Sequence, residues 1–342
     1  MSTINSVVEG VGIADPAPAE PSIEAEHLVK RYGETVAVAG VSFSVTQGEI
    51  FGYLGRNGSG KTTTVRMLTT LTRPSSGSAR VAGVDIADAR LVREHIGVTM
   101  QDAALDDAMT GVGHLRFVAG LSGASRAAAQ ARAVELLELV GLDGVAGARI
   151  ATYSGGMKRR LDIASALVGR PSVLFLDEPT TGLDPQSRRA VWDEIRSLQA
   201  SGVTVFLTTQ YIEEADRLAD RIAIVDAGTI IAQDTPQALK AAHGRTTITF
   251  EHDGDVAEVS GALAGVDGIE VGLGARGRTV VSLDTATSGG DGTVRVLDRI
   301  RTAGVSPTHL AVSETSLEDV FVRLTGTAIN SPAGTTSRED RR

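Results

Sequence analysis

Residues 55–62, GRNGSGKT, follow the apolar run IFGYL and precede the helical pattern VRMLTTL. The stretch fits G-x-x-x-x-G-K-[ST] in the setting that motif requires: strand, glycine-rich loop, helix. It constrains the fold because a strand must deliver the loop straight onto a helix N-terminus. Gly55, Gly58 and Gly60, with Asn57 and Ser59 among them, let backbone N–H groups turn inward around phosphate oxygens where a side chain would block approach. The helix end adds partial positive charge. Lys61 supplies a mobile charge for the β- and γ-phosphates. The Thr62 hydroxyl is placed to ligate Mg²⁺, and Thr63 helps to hold the phosphates. A flexible Gly/Ser turn with a solvated lysine is the plainer alternative, and the loop alone leaves a kinase, a GTPase or a motor ATPase open.

Two further runs, SVLFLDEP at 172–179 and VTVFLTTQ at 203–210, are joined by the helical pattern QSRRAVWDEIRSLQASG. Apolar runs connected in this way imply a buried parallel sheet and an α/β class. The first run ends in two carboxylates. Asp177, at the strand end, can hold Mg²⁺ through a water, and Glu178 can orient and polarise an attacking water. Adjacent strand residues point to opposite faces, which would give the two acids separate tasks. Solvated acids ahead of Pro179 are the alternative.

Around these runs, strands are expected over 23–52 and at SARVAGVDI, and a mostly helical insert over about 102–168. RIAIVDAGTIIAQD reads as a hairpin that completes the sheet. Past residue 240 the order strand, helix, strand, strand, helix, strand matches a ferredoxin-like βαββαβ unit, followed by a final helix, SLEDVFVRLTG. The expected division is a first domain at 23–240 and a small α/β domain at 241–327. Disordered arms are expected at 1–22 and 328–342, where Ala, Pro, Gly and charged residues mix.

A net charge of −9 argues against nucleic acid as a partner. With no cysteine, a disulfide framework and a cysteine metal site are excluded, and a reducing compartment is the natural reading. No apolar run reaches the roughly 18–20 residues that span a bilayer, and the first residues lack a secretory signal pattern. The expected place is therefore the cytoplasm, at most beside a membrane protein.

The stretch TYSGGMKRRLDIASAL at 152–167 adds a second helix start. Ser154 is a candidate N-cap, and Gly155 and Gly156 bare the first turn, which makes an anion site of that end. Alone it would be an ordinary cap. Beside the phosphate loop it gives one chain two phosphate-binding ends.

Taken in order, GRNGSGKTT, the glutamine of TMQDA, YSGGMKRR, SVLFLDEP, TGLDP and TTQYIEEAD resemble the ATP-binding subunits of ABC transporters over about residues 24–240. The resemblance implies a P-loop NTPase core of ABC ATPase type with ATP and Mg²⁺ as ligands. It also implies a head-to-tail dimer in which Ser154, Gly155 and Gly156 of one copy contact the γ-phosphate held by the other. By the same resemblance Gln101 joins the Mg²⁺ site to the insert that touches the membrane subunit, Asp184 crosses the dimer interface, and Tyr32 stacks on adenine. A surface glutamine, a turn acid and a core-packed tyrosine are the respective alternatives. Where most of the superfamily has a histidine at the γ-phosphate, this chain has Gln210. Its amide can donate a hydrogen bond, but it carries no proton or charge near neutral pH, so Glu178 is left as the group that polarises water. An idle loop glutamine is the other reading. The acids Glu213, Glu214 and Asp216 read as decoration of a helix start.

The glutamine in TTQY and the ending SLEDVFVRLTG resemble the daunorubicin-resistance type of subunit. That type implies an ATPase paired with a polytopic permease that exports hydrophobic antibiotics or lipids, lying at the cytoplasmic face of the membrane. An importer ATPase and a soluble ABC-type protein acting on ribosomes or DNA are the rivals.

Overall fold

The computed structural model describes residues 21–101, 104–253, 255–273, 278–284, 292–313 and 315–326. The arms expected at 1–22 and 328–342 lie outside them, apart from Pro21 and Ser22, which open the first strand. Strand β1 (Pro21–Tyr32) turns back into β2 (Thr35–Thr46), and both alternate between buried and exposed positions, as half-buried strands do. β3 (Ile50–Gly55) is buried throughout, and helix α1 (Lys61–Leu68) follows it across the glycine loop. β4 (Ser76–Val81) and β5 (Val84–Asp85) complete an antiparallel sheet in the order β2-β1-β4-β5. α2 (Ala89–His95) leads into the short β6 (Ile96–Thr99).

The insert consists of α3 (Gly111–Leu121), α4 (Arg126–Leu139) and α5 (Gly155–Ala166). Then come β7 (Val173–Asp177), α6 (Pro185–Ala200), β8 (Thr204–Thr209), α7 (Ile212–Leu218), and the hairpin β9 (Arg221–Asp226) and β10 (Thr229–Asp234). The second sheet runs β10-β9-β3-β8-β7-β6. All of its pairs are parallel except the β10 edge. Residues 55–62, 101, 177–178 and 210 therefore all leave carboxyl ends of one parallel sheet, the side on which such sheets bind ligands. Between the two sheets Phe43, Phe51, Tyr53 and Phe206 pack with ring centroids 5.5–5.8 Å apart. The other face of the parallel sheet carries Leu174, Leu176, Val205 and Leu207 against Trp192 of α6 and the insert helices.

Where α5 and α6 approach, burial pushes the Glu194 carboxyl up to about 7, and the charge of Arg160 only partly opposes this. In the unfolded chain this acid ionises near its ordinary value of 4.5. The unfolded state therefore gains relative stability as pH rises from there to about 7. Glu194→Gln should raise the melting temperature at pH 8 and leave it unchanged below pH 4.5. The gain is about 1 kcal/mol, because partial exposure screens the charge. Thermal denaturation at the two pH values checks it, and an equal effect at both would refute the assignment.

After α8 (Pro236–His243) the small domain holds β11 (Arg245–Glu251), α9 (Val256–Ala262), β12 (Ile269–Leu273), β13 (Thr279–Asp284), α10 (Gly292–Thr302) and β14 (Thr308–Ser313). Its antiparallel order, β12-β13-β11-β14, is that of a ferredoxin-like unit. Ile248, Phe250, Val281 and Leu283 of the sheet meet Val259, Val296 and Ile300 of α9 and α10. The last helix, α11 (Leu317–Thr325), leaves this unit. Its apolar stripe of Leu317, Val320, Phe321 and Leu324 packs with Leu54, Ala215, Ile222, Ile224 and Leu239 of the larger domain. The helix falls within the span expected for the small domain, yet its burial is against the first.

Candidate functional site

A cavity of about 460 Å³ opens at the glycine loop, lined by Tyr32, Ala37, Asn57, Gly58, Gly60, Lys61, Thr62, Thr63, Gln101 and Glu178. Gly60 precedes α1 with φ 100°, and a Cβ there would lie 2.5 Å from the Ala37 carbonyl, so only glycine fits. At Gly55 a Cβ would meet Ser59 Oγ and the Val225 carbonyl at 2.5 Å each. Gly60 gives α1 no side-chain cap, so the N–H groups of its first turn remain available to a ligand.

Lys61 is almost wholly buried. Its Nζ donates to the Gly55 carbonyl at 2.9 Å and the Arg56 carbonyl at 3.1 Å, and lies 3.2 Å from Glu178 Oε1. Burial pulls the lysine pKa down, and the charges of Glu178 and Asp177 act the other way.

Asp177 ends β7 with no exposed surface. Its Oδ1 accepts from the Thr208 hydroxyl and, at 3.3 Å, from the Thr62 hydroxyl. Oδ2 is buried and has no hydrogen-bond partner, and neither has Ser59 Oγ. Two hydroxyls and an unpaired carboxylate oxygen form a hard-oxygen set that fits Mg²⁺, an ion that takes one or two protein ligands and the rest from phosphate and water.

Glu178 does not extend the strand. Its φ is +49°, a left-handed conformation that costs about 1–3 kcal/mol and persists only where surroundings hold it. Its N–H donates to both the carbonyl and the hydroxyl of Thr208, at 3.1 Å each. Strand alternation was expected to send the two acids to opposite faces. The turn at Glu178 instead brings both to the loop helix, Asp177 to Thr62 and Glu178 to Lys61. Glu178 Oε2 accepts from Thr181 at 3.2 Å and from Gln210 Nε2 at 3.5 Å.

Gln101 stands exposed just past β6, and Tyr32 stands half exposed at the cavity rim, with the Lys30 ammonium 5.0 Å from its ring centroid. Tyr32 is thus not packed in the core. Ser154, Gly155, Gly156 and Asp184 are not among the cavity residues. Ser154 caps α5 by accepting from the Met157 N–H at 3.2 Å. A Cβ on Gly156 would lie 2.7 Å from Ser187 of α6, whereas Gly155 has ordinary clearance. Asp184 caps α6, accepting from the N–H of Gln186 and Ser187 and from the Ser187 hydroxyl, contacts that hold its carboxyl below the usual range.

Sequence reading missed several supports. Thr208 and Thr181 carry no motif signal beyond hydroxyls at the end of an apolar run and after a proline. Glu214 is not decoration. It has no exposed surface, and its Oε1 accepts from Thr180 at 2.8 Å and Trp192 at 2.9 Å. Burial raises its pKa, with those hydrogen bonds opposing. The helix start turns its second acid inward, onto the loop that follows Glu178.

Residues 38–181 match the family described as ABC transporter. The chain is 42% identical over 308 residues to the daunorubicin/doxorubicin resistance ATP-binding protein DrrA of Streptomyces peucetius, covering 89% of this chain and 92% of that protein. The chain belongs to the ATP-binding subunits of ABC transporters. An alignment of that length reaches into the small C-terminal domain. This ABC subunit is also 46% identical over 223 residues to the Nod factor export ATP-binding protein I of Paraburkholderia xenovorans, covering 65% of this chain and 73% of that protein. The bacterial ABC transporter cassette MJ0796, solved as a dimer, superposes with a TM-score of 0.57 at 25% identity, covering 62% of this chain and 98% of that one. Binding of nucleotide goes with membership of this ATPase family. Among the described residues, no helix is long and apolar enough to cross a membrane.

Proposed function

We propose that this chain hydrolyses ATP to energise export of a hydrophobic compound, an antibiotic or a lipid, through a separate polytopic permease, from the cytoplasmic face of the membrane. The observation that carries the reading is a single cavity that gathers Lys61, Thr62, Gln101 and Glu178 beside the unpaired oxygen of Asp177. The direction and cargo class rest on the relatives named for drug resistance and Nod factor export.

In this reading the triphosphate lies along Asn57, Gly58, Ser59, Gly60, Lys61, Thr62 and Thr63, with adenine on Tyr32. Asp177, through a water at Oδ2, and the Thr62 hydroxyl would hold Mg²⁺, with Gln101 beside them. When bound, the ion neutralises charge on the β- and γ-phosphates. Lys61, already buried and tied to two loop carbonyls, brings its charge to the γ-phosphate. Glu178 then releases Lys61 and accepts a hydrogen bond from a water in line with the γ-phosphorus. Gln210, on the far side of that carboxylate, donates its amide N–H to a γ-phosphate oxygen as a neutral sensor. A second copy, apposed head to tail, supplies Ser154, Gly155 and Gly156 from its α5 end, with Asp184 at the interface. That end lies outside this chain's own cavity, so a monomer holds two half-sites.

Purification from detergent-solubilised membranes tests the function. We expect a polytopic membrane protein to accompany the chain, and hydrophobic compounds to stimulate ATP hydrolysis by the pair severalfold. Recovery with ribosomes or DNA instead would end the export reading.

A further inference from the structure

Helix α5 sends one side chain back beneath the cavity. Arg159 is almost wholly buried, and its guanidinium fills the gap between the ends of β6 and β7. Nε donates to the Pro179 carbonyl at 2.8 Å, Nη1 to the Met100 carbonyl at 2.8 Å, and Nη2 to the Asp177 carbonyl at 3.1 Å. Nη1 also meets Asp162 Oδ2 at 2.9 Å, one turn further along the helix. Met100 immediately precedes Gln101, and Asp177 and Pro179 flank Glu178. One planar group therefore ties the backbone on both sides of Glu178 and just before Gln101. These ties act where Glu178 adopts its left-handed φ, a conformation that needs outside support. The same helix starts at Ser154–Gly155–Gly156, one turn before Arg159.

We propose that Arg159 is a positioning residue: through the carbonyls of Asp177, Pro179 and Met100 it couples the α5 end offered to a second copy to the placement of Glu178 and Gln101 in its own copy. The proposal rests on the reading in which Glu178 orients the attacking water. A lysine cannot replace the guanidinium. Its single ammonium can keep the pair with Asp162, but it lacks the rigid fork that reaches three carbonyls at once. Removing Arg159 alone would strand Asp162 as a buried carboxylate, whereas removing both partners together leaves no buried charge behind.

The test compares Arg159→Lys and the double variant Arg159→Met/Asp162→Leu with wild type and with Glu178→Gln. The measurements are kcat, KM for ATP, binding of a fluorescent ATP analogue, ATP-driven dimerisation and melting temperature. In both Arg159 variants kcat should fall on the order of 30-fold or more, as expected when a catalytic group is displaced by a fraction of an ångström to an ångström. KM and analogue binding should stay within about threefold of wild type, and the ATP-bound dimer should persist as it does in Glu178→Gln. If the double variant does not fold, Arg159→Lys decides by the same readings. A folded variant with kcat within threefold of wild type overturns the proposal. So does a fall in kcat matched by equal losses of binding and dimerisation, the mark of a packing residue. Normal hydrolysis by Glu178→Gln would instead overturn the reading of Glu178, so the two failures are told apart.

Discussion

Glu178→Gln should abolish turnover while leaving ATP bound as tightly as in wild type, or more tightly. The loss of hydrolysis should be about 10²- to 10⁴-fold, the range for removal of a general base. Affinity moves the other way because of the nucleotide-free geometry. Glu178 Oε1 lies 3.2 Å from Lys61 Nζ, and both groups are almost fully buried. Bound ATP must draw that ammonium away from the carboxylate. Glutamine keeps the shape and can still accept from Thr181, but it no longer holds Lys61 by charge, so the lysine is freer to meet phosphate. With binding intact and hydrolysis blocked, the ATP-bound dimer should accumulate. Phosphate release, equilibrium binding and gel filtration with ATP measure the three effects. Near-normal phosphate release would remove Glu178 from the chemistry.

The sequence shows the fold where local pattern and tertiary role coincide. The buried runs of β3, β7 and β8 read as core strands because apolar residues dominate them and no charge falls before the strand end, and the glycine loop declares the strand and the helix on either side of it. β6 escaped notice because IGVT is only four residues long. Such a run has too little periodicity to register, and its place comes from pairing with β7, not from its own pattern. The final helix shows its apolar stripe plainly, but a stripe does not say which surface it will cover. Its partners Leu54, Ile222 and Ile224 lie far away in sequence. The candidate site divides along the same line. Lys61, Thr62, Asp177 and Glu178 announce themselves by motif, and the structure brings three of them to one cavity with Asp177 directly behind it. Arg159, Thr208 and Glu214 support that cavity through hydrogen bonds that span 18 to 34 residues of sequence, and nothing in their local sequence sets them off from ordinary helix and strand residues. Glu178 itself was found for its chemistry but misjudged in its geometry, since strand alternation stops at the residue before it.

Lys61→Met should remove most of the thermal response to ATP, measured against the variant's own nucleotide-free melt. Methionine keeps the apolar stem of the lysine and gives up only the ammonium. In the free chain, burial already works against that charge, and the Gly55 and Arg56 carbonyls together with Glu178 only offset it. Losing the ammonium removes that desolvation but leaves the buried Glu178 carboxylate with only Thr181 and Gln210 as partners, so the variant's response to ATP is read against its own nucleotide-free melt. Bound ATP has no such compensation. A buried, charge-assisted contact to phosphate disappears, which should weaken binding about 100-fold. At an ATP concentration of 100 times the wild-type Kd, ligand linkage stabilises wild type by about 2.7 kcal/mol, but a variant bound 100-fold more weakly by only about 0.4 kcal/mol. A thermal melt with and without ATP-Mg reads that difference directly. An ATP-induced shift equal to wild type would mean that the phosphates do not lie against Lys61. The cavity at the glycine loop would then no longer be the nucleotide site of this chain, and the roles proposed for Glu178, Gln210 and Arg159 would lose the ligand they are arranged around.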